Sequence, residues 1–134
     1  MKLLKFLFIL SAFRTFSQNV ELTEEKLTNT LCKNWKIDYI MMGNTKAPNT
    51  PAFAAEEFRF TLDHTYSFKS GKEGEAKTKW VYNKPEKCVE LFSGEKIIGK
   101  IISLDDTHLV YRPLFDNQTQ NMTVIELHFM PVNN

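Results

Sequence analysis

The chain has 134 residues, 43% of them apolar and 25% charged. That composition belongs to one soluble globular domain, and it excludes a disordered, collagen-like or membrane-embedded chain. The formal charge of +1 falls to −2 when the basic N-terminal residues Lys2, Lys5 and Arg14 are removed, so a general electrostatic grip on nucleic acid is not expected.

The first segment reads as an export signal. Met1 to Lys5 is a short basic start, Phe6 to Phe13 is apolar, and Thr15 and Ser17 put small residues at the two positions a signal peptidase reads before Gln18. The apolar run is too short to cross a bilayer core, which needs about 20 helical residues. Residues 1–17 are thus expected to leave as a signal peptide, with a mature domain over 18–134 that is secreted or periplasmic, without membrane insertion.

Thr23-Glu24-Glu25 supplies an N-cap hydroxyl and acids for a first turn, and Leu27 and Leu31 share one face, which predicts a helix over roughly 23–31. From Trp35 the period changes to two: Trp35, Ile37, Tyr39 and Met41 alternate with Lys36, Asp38, Ile40 and Met42 in a first strand. Gly43 to Ala55, with Pro48 and Pro51, reads as the longest irregular loop. Phe58 to Leu62 and Tyr66 to Phe68 form the next two strands around a tight reversal at Leu62-Asp63-His64. After a turn at Gly71 to Gly74 come strands over Thr78–Tyr82, Cys88–Phe92, Lys96–Leu104, Thr107–Leu114 and Met122–Met130, with turns at Asn83–Glu86, Ser93–Glu95 and Asp105-Asp106. Eight strands joined by short turns with no helix between them predict an all-β fold: an antiparallel up-and-down barrel with a short N-terminal helix. A two-sheet sandwich is the structural rival, and it usually needs long crossovers that this chain lacks. Closure leaves no sheet edge to pair with another chain, so a monomer is expected.

The helix, the Leu31-Cys32-Lys33-Asn34-Trp35 entry into the first strand, the long first loop and the meander together resemble the lipocalins. More closely, Phe58-Arg59-Phe60-Thr61-Leu62-Asp63-His64-Thr65-Tyr66-Ser67-Phe68 stands where the small secreted lipocalin-like domains of Bacteroidetes have an F-x-F-x-x-D-G-T-Y-x-F hairpin. The chain departs from that pattern at Lys33 and His64, where the family has glycine. The resemblance implies a cup for a small apolar molecule, and it implies no reaction.

Alternation sends Trp35, Ile37, Tyr39, Met41, Phe58, Phe60, Tyr66, Phe68, Trp80, Tyr82, Val89, Leu91, Ile97, Ile101, Leu109, Tyr111, Ile125, Leu127 and Phe129 inward. An eight-strand barrel is just wide enough to be filled by such side chains or to hold one small ligand. The four tyrosines favour a cavity, because a buried phenol needs a hydrogen-bond partner that water or a ligand can supply. With the helix plugging one end, Thr78 is expected near the mouth together with the expected ligand contacts Tyr39, Met41, Phe58, Phe60, Phe68, Trp80 and Tyr111, while Trp35 belongs to the plugged end. In the alternative, the barrel is filled and a protein partner binds its outer wall, where Ile40, Met42, Val124 and Met130 are expected.

Cys32 and Cys88 are either a disulfide or two separate buried thiols. Closing the 55-residue loop would stabilise by about 4 kcal/mol if the geometry allowed the bond. No enzyme is expected, and no cofactor. His64, His108 and His128 are scattered along the chain, no metal-ligand spacing occurs, and neither a G-x-S-x-G elbow nor a Gly-rich phosphate loop is present. Asp105-Asp106 reads as turn chemistry. Asn117 and Asn121 head N-x-T sequons that matter only in a eukaryotic source.

Overall fold

The computed structural model describes residues 20–48, 57–68, 78–114 and 123–133. The expected signal, the Gly71 to Gly74 turn and the asparagines of both N-x-T sequons lie outside the described residues. Among the described residues, no helix is long and apolar enough to cross a membrane.

Helix α1 spans Glu24–Leu31, and Thr23 caps it by accepting the Lys26 N–H at 3.3 Å, with Glu24 and Glu25 in the first turn complementing the helix dipole. Its buried face, Leu27 and Leu31, is wholly excluded from solvent, which contributes about 2 kcal/mol per leucine. The Trp35 indole N–H donates to the Leu31 carbonyl at 3.0 Å, satisfying a group that the last helical turn leaves without an intrahelical partner. That bond fixes the plug to the first strand.

Among the described residues nine strands follow: β1 (Asn34–Met42), β2 (Thr45–Pro48), β3 (Glu57–Phe60), β4 (Tyr66–Phe68), β5 (Thr78–Asn83), β6 (Cys88–Ser93), β7 (Lys96–Leu104), β8 (Leu109–Pro113) and β9 (Ile125–Pro131). Every ladder is antiparallel, in the order β4-β3-β1-β9-β8-β7-β6-β5, with β2 beside β1. The sheet is thus an antiparallel meander nearly closed into an eight-strand barrel, as expected, and its first and last long strands, β1 and β9, pair along their length. The seam lies between β4 and β5. It is spanned by the Trp80 N–H donating to the His64 carbonyl at 2.9 Å and by the Thr78 hydroxyl donating to the Tyr66 carbonyl.

One expected loop is in part a strand. Gly43 takes φ +59 and with Asn44 forms a two-residue turn, so Thr45–Pro48 folds back on β1. Its residues do not alternate in polarity, and periodicity alone could not show it.

Three irregularities of register decide which side chains point inward. In β1 the pairing with β9 slips between Ile37 and Tyr39, in β6–β7 at Leu91/Phe92, and in β7–β8 between Ile101 and Ser103. Each slip reverses the faces beyond it. Ile40, expected outside, therefore pairs with Leu127 and is buried, while Tyr39 pairs with His128 and Met41 with Glu126 on the outer wall. Met42 follows Ile40 inward, at the rim. Ile97, expected inside, pairs with Phe92 outside, and Leu104 turns in against Leu109.

Gly99 faces the interior and the Tyr111 ring lies directly on it, so a β-carbon there would overlap the ring. Gly99→Ala is expected to destabilise the protein by about 1–3 kcal/mol through overpacking, measured by urea unfolding. A change below about 0.5 kcal/mol would contradict this packing.

Candidate functional site

The interior is built in two zones. At the plugged end Val20, Leu27, Leu31, Trp35, Ile37, Leu104, Leu109 and Phe129 belong to one continuous core. Above them Phe58 stands in the middle of the ring. Its ring centroid lies 4.6 Å from that of Phe68, 5.0 Å from Phe129, 5.2 Å from Tyr111 and 5.4 Å from Phe60. These contacts bring together four of the residues expected to meet a ligand, but mostly as partners of one another: Phe58, Phe60 and Tyr111 are buried, and only Phe68 is half-exposed.

The phenols do not need water. Tyr111 Oη donates to the Ile98 carbonyl at 3.2 Å and Tyr66 Oη to the Phe92 carbonyl at 3.0 Å, two acceptors at the β6–β7 register slip. Tyr82 Oη donates to the Val20 carbonyl. Burial pushes the Tyr66 hydroxyl up to about 12 and raises that of Tyr111, which also faces Tyr66, so both remain neutral donors. The inference from buried tyrosines to a wet cavity is thereby corrected for these three; Tyr39, the fourth, lies outside.

Trp80 is corrected as well. It is only 1% exposed, its indole N–H donates to the Thr61 carbonyl at 3.2 Å, and its ring stacks on His64 at 4.0 Å with 9° between planes. These partners belong to the β3–β4 turn at the plugged end, so Trp80 closes the seam rather than lining the mouth. The same stack accounts for His64 at a glycine position: with φ +65 the residue is in the left-handed region, and its imidazole covers the tryptophan.

Burial of the inward apolar side chains falls toward the end away from the helix. Along β9, Phe129 is fully buried while Leu127 and Ile125 are half-buried, and along β4 Tyr66 is buried while Phe68 is half-buried. Ile98 on β7 is likewise half-buried against the core. With Ile40, these residues form an apolar rim whose floor is Phe58 and Tyr111.

A groove of about 650 Å³ runs along the seam between Thr61, Thr65, Tyr66, Ser67, Thr78, Lys79, Gly94 and Glu95. Its hydroxyls are largely committed: Thr61 and Thr65 both donate to Asp63, whose carboxyl they hold below the usual carboxylate range, and Thr78 spans the seam. Asp105 likewise accepts from the Thr107 N–H and hydroxyl, the turn chemistry expected of it. The histidines were not expected to meet, yet His108 and His128 do, through the pairing of β8 with β9 that sets Val110 opposite His128. Among the described residues no group of three His, Cys, Asp or Glu is placed to hold a metal ion.

Cys32 and Cys88 are not bonded to each other. Cys88 is fully buried beside the charges of Lys100 and Glu86, whereas Cys32 is half-buried against the core with Asp63 as its charged neighbour. Burial raises both thiols, so neither is an activated nucleophile. Labelling the unfolded, unreduced protein should give two reactive thiols; none would contradict this arrangement. No protein-family model, curated protein or solved structure matches the chain.

Proposed function

We propose that the chain is an exported, non-enzymatic, lipocalin-like binding module that takes a small hydrophobic molecule at the upper end of its barrel. The gradient of burial carries this reading: the plugged half is filled with its own side chains, and the inward apolar residues Ile125, Leu127, Phe68 and Ile98 are only half-buried at the other end. A ligand there rests on Phe58 and Tyr111 instead of passing between them. Of the contacts expected from the sequence, Phe68 and Tyr111 serve this site, Phe58 is its floor, Phe60 and Trp80 belong to the packing beneath, and Tyr39 and Met41 belong to the outer wall.

The alternative is a filled barrel that binds a partner through its surface. It is favoured by the ring contacts of Phe58 and by the backbone partners of the three inner phenols.

The two native tryptophans are poor reporters for the rim, being 0% and 1% exposed at the plugged end. A Phe68→Trp variant places a reporter on it. Titration of that variant with a long-chain fatty acid is expected to give a saturable change in emission with a dissociation constant of about 1 μM, while the parent protein changes little. No change in a folded Phe68→Trp protein would reject the cup and leave the filled barrel as the account.

A further inference from the structure

On the outer wall, His108 Nε2 and His128 Nδ1 face each other at 2.9 Å. His128 comes from the middle of β9 and His108 immediately precedes β8, so the contact ties the two strands across their outer face. The His128 side chain is only 12% exposed. Tyr39 of β1 stacks on its ring at 4.3 Å with 14° between planes, and Lys46 of β2 lies over the far side of that stack, 4.2 Å from the Tyr39 centroid. Behind it, His128 Nε2 stands 3.5 Å from Glu126 Oε2 with no hydrogen-bond partner, and Glu126 Oε1 is held by Arg112 at 2.7 Å. Asp105 faces His108, and Asp38 faces His128 from β1.

Two imidazole nitrogens at this distance require one proton between them. With both rings neutral, or with a single added proton on an outward nitrogen, the N–H···N bond persists. With both rings charged, both facing nitrogens carry hydrogens and the bond cannot form. We infer that the His108–His128 pair is an acid-operated latch on the β1–β9–β8 wall, closed at neutral pH and opened when the second imidazole takes its proton. The inference is independent of the ligand proposal.

The surroundings set the direction of the pH dependence. Burial and the neighbouring His108 hold His128 below the usual imidazole range, more strongly than Glu126 raises it. A ring whose folded value is depressed binds its proton more readily once the chain unfolds. The latch therefore contributes fully above about pH 6.5, the unfolded value, and its contribution is lost as the pH falls through the lower folded value.

The test is urea unfolding between pH 7.5 and 5.0 of the parent, His108→Gln and His128→Gln, together with imidazole NMR of the parent alone. The parent's unfolding equilibrium constant should rise more over that window than that of His128→Gln, which lacks the depressed imidazole, while His108→Gln, which keeps the buried His128, should fall between them. The NMR should show a protected imidazole N–H at pH 7.5 that disappears as the second ring titrates. Parallel pH profiles in the parent and His128→Gln, or a shared N–H still present with both rings protonated, would overturn the latch. Should the variants fail to fold, the NMR titration of the parent decides by itself.

Discussion

The rest of the molecule depends on how an eight-strand ring is filled at its middle, and Phe58 occupies that position. A ring of this size leaves room for a few large side chains and little else. Phe58 on β3 reaches its cross-strand partner Phe68 on β4 and, across the ring, Tyr111 on β8 and Phe129 on β9, so three other strands are registered against one residue. Tyr111 can approach only because Gly99 has no side chain, and its buried hydroxyl donates to the Ile98 carbonyl, which also accepts the Leu114 N–H at 2.9 Å. The glycine and the two phenols thus form one device: it turns a potentially wet lumen into a floor.

What was legible in the sequence followed from strong periodic signals. The Thr23 cap, the leucine pair of α1, the meander order and the burial of Trp35, Phe58, Phe60, Tyr66 and Tyr111 all come from patterns that tertiary contacts reinforce. What was not legible came from single extra residues. A slip near Asp38 moved Tyr39 and Met41 from the lumen to the outer wall and Ile40 in the other direction. A period-two pattern carries no mark of where such a slip falls, since Tyr, Ile and Met are all acceptable on either face. The β2 hairpin escaped notice for the complementary reason, a clear Gly-Asn turn followed by residues with no alternation.

The tryptophans show how far one-dimensional depth along a strand can mislead. Trp80 lies near the start of a descending strand, which places it near the mouth when strands are counted as upright. In the ring the neighbouring strands are staggered, and Trp80 meets the β3–β4 turn instead, with His64 over its face and Thr61 at its indole nitrogen. Both tryptophans therefore close structure: Trp35 joins helix to barrel, and Trp80 joins the two edges of the seam. His108 and His128 meet through the antiparallel pairing of β8 with β9, strands that the expected meander already makes neighbours.

A floor through the middle of the barrel, with an apolar rim above it and solid packing below, is the central claim. It is tested most directly by ring-to-ring nuclear Overhauser contacts in the protein with selectively labelled phenylalanine and tyrosine. The account predicts contacts from Phe58 to Phe68, Tyr111 and Phe129 that persist unchanged when the protein is saturated with a long-chain fatty acid. Absence of these contacts, or their loss as ligand is added, would mean that the lumen is open to its base and would contradict it.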